Sequence, residues 1–306
     1  MAAADVEMPV AESSSLATLS RRQHLGQTFE AYRAELDDEN ALREKLIILS
    51  RSITQLSKKL IFHLHRGATS QPAQRQKNIR EAEKKEREIA EVFKTIRQEL
   101  SDARAGESWT SGFWKWRKSI TPGLEEYIEA LSFMWYLQHG GLVPLDNVQK
   151  ALSDENGEPL IFVTPEDYIL GMSDLTGELM RYATNGTFKM SKSSQDYPPP
   201  ASFSGKKLND VNPPEALGTG DHETPLSICD FVRTVKTHFD AVNPDAIRQL
   251  SKKQEETQRS LEKIEKVCYA LRLRLIEFAD RPDILAQMAK RALDDADDKG
   301  QGLATE

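Results

Sequence analysis

Cysteine is nearly absent from this 306-residue chain: Cys229 and Cys268 are the only two, both in apolar surroundings and without Cys-x-x-Cys or Cys/His spacing. That argues against a disulfide framework and a structural zinc site, and it fits a reducing compartment. Long apolar runs are missing too. No stretch approaches the ~18 uncharged apolar residues of a membrane-spanning helix. The start, MAAADVEMPVAESSS, has neither the basic n-region nor the apolar h-region of a secretory signal. There is no glycine-rich phosphate loop, no GxSxG elbow, and no histidine near the serines, so nucleotide binding and serine hydrolysis fall away. Alternating β-strand pattern is convincing nowhere, with residues 160–163 as the one candidate.

What is present is a chain of moderate apolar content, with 39% hydrophobic and 29% charged residues and a mean hydropathy of -0.56. At roughly 100 to 200 residues per domain, it is long enough for one large domain or two small ones. The 41 basic and 48 acidic residues leave a net charge of -7. The charge is unevenly spread. Residues 51–118 hold 16 Lys/Arg against 8 Asp/Glu, a surplus of 8, so the remainder carries -15. Local sign, rather than the total, decides which face a polyanion can approach.

Periodicity predicts an all-α fold of about seven mostly long antiparallel helices. Residues 1–24 read as a disordered leader, and a helical domain spans 25–293. The first helix runs from Leu25 to about Arg66, with Leu42, Leu46, Leu49, Ile53, Leu56, Leu60 and Leu64 at spacings of three and four. A second runs from Ala73 to Ala103. A third is capped by Thr121 with Pro122 at its first position and closed by Gly140. A short helix covers 145–152. Further helices open at Thr164-Pro165, Thr224-Pro225 and Asn243-Pro244, and a last one spans 282–293 ahead of an acidic tail, 294–306. The Ser, Lys, Gly and Pro-rich segment 185–223 reads as a disordered insertion inside this domain.

Two acidic pairs stand out. In the third helix Glu126 and Glu129 are three apart on a second face that is otherwise apolar, beside Ala130, Phe133 and Leu137. A helix apolar nearly all round is usually buried, and buried carboxylates must be protonated, paired or metal-bound. In the helix opening at Pro165, Asp174 and Glu178 lie four apart, with Gly171 and Gly177 leaving room for another backbone or a substrate. If the two faces converge, four oxygen ligands without His or Cys suit magnesium or manganese rather than zinc. Spacing alone favours the plainer reading of two solvated helix faces. His63 and His65, two apart in FHLHR, point to different helix faces and read as packing. Of the basic run in the first two helices, Lys58, Lys59 and Arg66 lack acids nearby in sequence and could meet RNA phosphates.

Four stretches taken together, SRSITQLSKKLIFHLHR, ITPGLEEYIEALSF, TPEDYILGMSDLTGELMRYATN and KIEKVCYALRLR, resemble the translin family, in its branch of translin-associated factors. The resemblance runs from about 28 to 280. It implies assembly with translin subunits into a hetero-octameric shell and a Mg2+-dependent endoribonuclease (with Mn2+ as a substitute) acting on single-stranded RNA such as small-RNA passenger strands and tRNA-derived fragments. Single-stranded DNA is a second ligand. The family's catalytic acids land on Glu126, Glu129 and Asp174, which would hold the metal with Glu178 beside them. A non-enzymatic role, stabilising translin in a nucleic-acid-binding oligomer, is the alternative. Pro122 departs from the pattern, since a proline there can kink the helix and displace Glu126 from Glu129. With no basic import cluster at the N-terminus, the cytoplasm is the expected location and the nucleus the second.

Overall fold

The computed structural model describes residues 10–67, 72–103, 108–186 and 223–277. These form α1 (Val10–Gly67), α2 (Pro72–Asp102), α3 (Trp109–His139), α4 (Leu145–Ala151), α5 (Pro165–Gly186), α6 (Pro225–Asp240) and α7 (Leu250–Glu277). No described helix is long and apolar enough to cross a membrane. Among the described residues there is no strand. Residues 160–163 form no strand: Leu160 N–H donates to the Leu152 carbonyl at 2.8 Å beside a single bridge between Ser153 and Pro159, and beyond it Gln149 takes over the backbone, its amide donating to the Ile161 carbonyl and its oxygen accepting from Val163 N–H, both at 2.9 Å. The insertion beyond Gly186, the helix expected at 282–293 and the acidic tail lie outside the described residues.

Three boundaries differ from expectation. The first helix begins at Val10 and so includes residues 10–24 of the expected leader. The third begins at Trp109, where Ser108 is the cap, and continues through Pro122 without interruption. A proline in a helix interior removes one N–H and crowds the preceding turn. Here Ser50 of α1 compensates: its hydroxyl donates to the Ile120 carbonyl (3.2 Å) and accepts from Gly123 N–H (3.0 Å). Gly123 permits this approach, since a Cβ on it would lie 2.6 Å from the Ser50 carbonyl oxygen. The last described helix begins at Leu250 rather than at Pro244. Asn243 Oδ1 accepts from Asp245 N–H to make a turn, and Gln249 has φ 71°, a left-handed conformation that cannot propagate a helix.

Cross-helix pairs give the directions. Lys45 meets Glu99, and His63 lies 3.6 Å from Glu81, so α2 returns antiparallel to α1. By contrast Ser50 meets Gly123 and Lys58 meets Glu126, so α3 runs parallel to α1. Arg117 meets Asp167 near the start of α5, and Gly171 of α5 packs on Ile128, so α5 runs parallel to α3. The loop carrying α4 returns the chain between them. α6 and α7 are antiparallel, with Arg233 on Glu265 and Gln254 on the Phe239 carbonyl.

α3 is the central rod, flanked by α1, α2 and α5 and buried on nearly every side: Phe113, Ile120, Tyr127, Ile128, Phe133 and Tyr136 are all fully enclosed. Each such large side chain contributes about 1.5–3 kcal/mol. The leucine stripe of α1 faces it, with Leu46, Ile53, Leu60 and Leu64 buried. Carboxylates on such a rod are carried toward the interior.

Candidate metal centre

The register of α3 on α5 is set two turns before the acids. Thr164 and Asp167 cap α5 reciprocally: Asp167 N–H donates to Thr164 Oγ1 (3.2 Å), while the Thr164 hydroxyl donates to Asp167 Oδ2 (2.6 Å). Arg117 of α3 then donates to Glu166 (2.9 Å), Asp167 (3.0 Å) and Thr164 (2.9 Å). Asp167 is fully buried, so its charge needs that partner. One turn on, Gly171 lets α5 press on α3: a Cβ there would sit 2.7 Å from Ile128 Cβ and 2.8 Å from the Glu125 carbonyl oxygen. Gly177 has nothing within 4 Å of a Cβ position, so a gap lies beside Asp174 and Glu178.

This docking brings α3 acids toward α5 acids. Glu129 is the most perturbed of them. Burial, followed by the charges of Asp174, Glu178 and Glu126, pushes its carboxyl up to about 8. It has no hydrogen-bond or ion-pair partner among the described residues. Glu125, four residues earlier and on the same helix face, is pushed up to about 7 by burial, with Asp167, Asp174 and Glu166 adding and Lys253 opposing. Burial raises Asp174 as well, although Lys253 of α7 bonds both its oxygens, at 2.5 and 2.6 Å. Burial disfavours the Lys253 charge, but Asp174, Glu256 and Glu125 outweigh it and hold the ammonium above its ordinary range.

The other acids have basic partners too. Glu178 is buried and meets His65 Nε2 at 2.5 Å and Arg181 at 3.1 Å. Glu126 meets Lys58 at 3.2 Å. Among the described residues no three His, Cys, Asp or Glu side chains are gathered into a ligand set. The expected four ligands thus share one neighbourhood, with Glu126, Asp174 and Glu178 turned to separate bases and Glu129 bonded to none among the described residues. Their chemistry still fits a hard divalent ion: all donors are oxygens, and Glu129 lies half-buried among three like charges that the Lys253 ammonium offsets only in part.

A model of the Translin family matches residues 41–275. This chain belongs to the Translin family. Translin-associated protein X of Pongo abelii is 31% identical over 265 residues, covering 80% of this chain and 78% of that protein. The Rattus norvegicus protein of that name is 30% identical over the same shares. The Schizosaccharomyces pombe homolog is 33% identical over 160 residues, 52% of this chain and 62% of that protein. The crystal structure of AfC3PO, at 16% identity and a TM-score of 0.52, covers 81% of this chain and 99% of that one and shares the fold.

In this Translin-family chain, EEYIEALSF lies on α3 and SDLTGELMR on α5, facing each other. Sequence reasoning missed three residues of the neighbourhood. Glu125 was legible as the i, i+4 companion of Glu129. His65 was read as packing; its ring does pack against Phe133, tilted by 37° with centroids 4.8 Å apart, yet it also holds Glu178. Lys253 left no sequence signal, sitting in a charged run of α7. Lys58, expected to stand clear of acids, holds Glu126 instead. Lys59 and Arg66 are exposed on α1.

Proposed function

We propose that this Translin-family chain is the catalytic subunit of a metal-dependent endoribonuclease that cleaves single-stranded RNA in complex with translin. The observation that carries the reading is Glu129, half-buried among Asp174, Glu178 and Glu126, with its carboxyl pushed up to about 8. Clustered, buried like charges are a configuration that a divalent cation relieves. Glu126, Glu129 and Asp174 would hold Mg2+ or Mn2+, and Glu178 would orient the set. The bound ion would supply an activated water and neutralise charge building on the phosphodiester. The chain's own part is to place the acids. The Arg117 clamp and Gly171 set the helix register, His65 and Arg181 fix Glu178, and Lys59 and Arg66 lie along α1 where a phosphate backbone can approach.

Assembly with translin is supported by the name of the relatives and by two exposed apolar stripes: Leu25, Phe29, Tyr32 and Leu36 on α1, and Tyr269, Leu273 and Ile276 on α7. A hetero-octamer is the expected closed form.

The test is cleavage of a fluorescent single-stranded RNA by the translin complex with Mg2+, comparing wild type with Glu126→Gln, Glu129→Gln and Asp174→Asn. Cleavage that survives all three substitutions removes the proposal. A second reading, a non-enzymatic stabiliser of a nucleic-acid-binding oligomer, is favoured by the basic partners of Glu126, Asp174 and Glu178, because structural ion-pair networks also perturb carboxylates. It predicts RNA or single-stranded DNA binding without cutting.

A further inference from the structure

Both oxygens of Asp174 are occupied by one ammonium, Lys253 Nζ, at 2.5 and 2.6 Å. Side-chain exposures of 17% for the lysine and 30% for the aspartate make this a largely desolvated pair. Further acids surround the ammonium. Glu256, one turn along α7, and Glu125 on α3 both act on it, and it acts in turn on Glu129. α5 and α7 are also in contact further on at the buried pair Thr176 and Thr257, whose hydroxyls are 3.4 Å apart, so the two backbones stay packed beside the ion pair. Departure from Asp174 needs only a rotation of the four-carbon side chain. Glu256 and Glu125, whose charges already act on the ammonium, are the acids that could receive it, and Lys252 is only a distant competitor for Glu256, at 3.8 Å.

We infer that Lys253 and a divalent cation are alternative occupants of the Asp174 carboxylate, so that Lys253 acts as a positioning residue that gates ion entry. This rests on the ion site proposed above. A hard cation needs carboxylate lone pairs, and those of Asp174 are bonded to the lysine. The ammonium keeps the acids from repelling one another until the ion arrives, then turns aside toward Glu256 or Glu125. A lysine suits the task because it is a flexible point charge. An arginine in its place would grip the carboxylate through a rigid two-pronged fork.

Lys253→Met and Lys253→Arg should therefore shift ion affinity in opposite directions, which a merely structural residue would not do. The experiment measures Mn2+ binding, by the paramagnetic resonance signal of the free ion, to the full-length chain co-purified with a translin subunit and free of RNA. Circular dichroism checks the fold. Lys253→Met is expected to bind Mn2+ roughly tenfold more tightly than wild type, and Lys253→Arg several-fold more weakly. Adding Asp174→Asn should erase the difference between wild type and Lys253→Met. If Lys253→Met fails to fold, Lys253→Gln takes its place with the same expected direction. Unchanged or weaker binding by a folded Met or Gln variant overturns the inference, whether or not wild type cuts RNA. Absence of Mn2+ binding at millimolar ion in every form overturns the inference and the metal reading beneath it together. RNA cleavage that is lost while the Mn2+ affinities still diverge counts against the ribonuclease proposal alone.

Discussion

The acidic neighbourhood of α3, α5 and α7 and the cavity between α1, α2 and the start of α3 carry similar numbers of carboxylates. The cavity, of about 600 Å³, is lined by Glu35, Asp38, Glu39, Glu99 and Asp102 together with Lys45 and Lys115. Glu35, Asp38 and Asp102 are exposed, and the two half-buried acids, Glu39 and Glu99, are each held by a lysine. Lys45 takes Glu99 at 2.6 Å, Lys115 takes Glu39, and Gln98 donates to both oxygens of Asp102. In the α3–α5–α7 neighbourhood the carboxylates emerge from packed helix faces, and Glu129 is left without a partner. Room for a ligand and a count of acids are therefore poor guides to chemistry. What separates the two places is desolvation, which makes like charges costly and a cation welcome.

The comparison breaks most directly at the level of activity. Glu129→Gln and Asp174→Asn are expected to lower RNA cleavage by the translin complex roughly 100-fold or more, whereas Glu35→Gln and Asp38→Asn in the cavity leave it unchanged in the same assay. Next in size is the helix docking behind the site. Gly171→Ala should cost about 1–3 kcal/mol in urea unfolding, because its Cβ would collide with Ile128 and the Glu125 backbone. Gly177→Ala, which meets open space, should gain up to about 1 kcal/mol from helix propensity.

Smaller again is a pH effect. The carboxyl of Glu129 in the folded chain, at about 8, lies above its ordinary 4.5, so the fold favours the protonated form. That contribution is complete below about 4.5 and is lost as pH rises through about 8. Glu129→Gln imitates the protonated form. In EDTA its Tm should match wild type near pH 4 and exceed it by a few °C at pH 9, as read by thermal circular dichroism. Added Mg2+ should narrow the gap by restoring wild type. The smallest expected effect is in the cavity, where Lys45→Ala, removing a half-exposed ion pair, should change unfolding free energy by no more than about 1 kcal/mol.

Much of this was legible in advance. The leucine spacing of α1, the Thr-Pro starts of α5 and α6 and the glycine close of α3 report local physics, since each depends on residues within a few positions of one another. Misjudged boundaries mark places where distant atoms intervened. Pro122 reads as a helix start until Ser50, in another helix, is seen to satisfy the backbone around it. Residues 160–163 read as a strand until Gln149 claims their backbone. The paired glutamates of α3 were visible as unusual, but which of Glu125, Glu126 and Glu129 faces what depends on how α3 is rotated against its neighbours.

Alone, the amino-acid order determined that the chain is helical, where most helices begin and end, and that acids occupy rods too apolar to face water. Tertiary structure alone decided the partners. His65 reaches Glu178 across 113 positions and Lys253 reaches Asp174 across 79. Such contacts exist only because a buried Asp167 clamped by Arg117 and a side-chain-free Gly171 set one helix against another in a single register. Helix formation is summed from neighbours along the chain, whereas a charge finds its counter-charge only after the core has chosen how its rods lie.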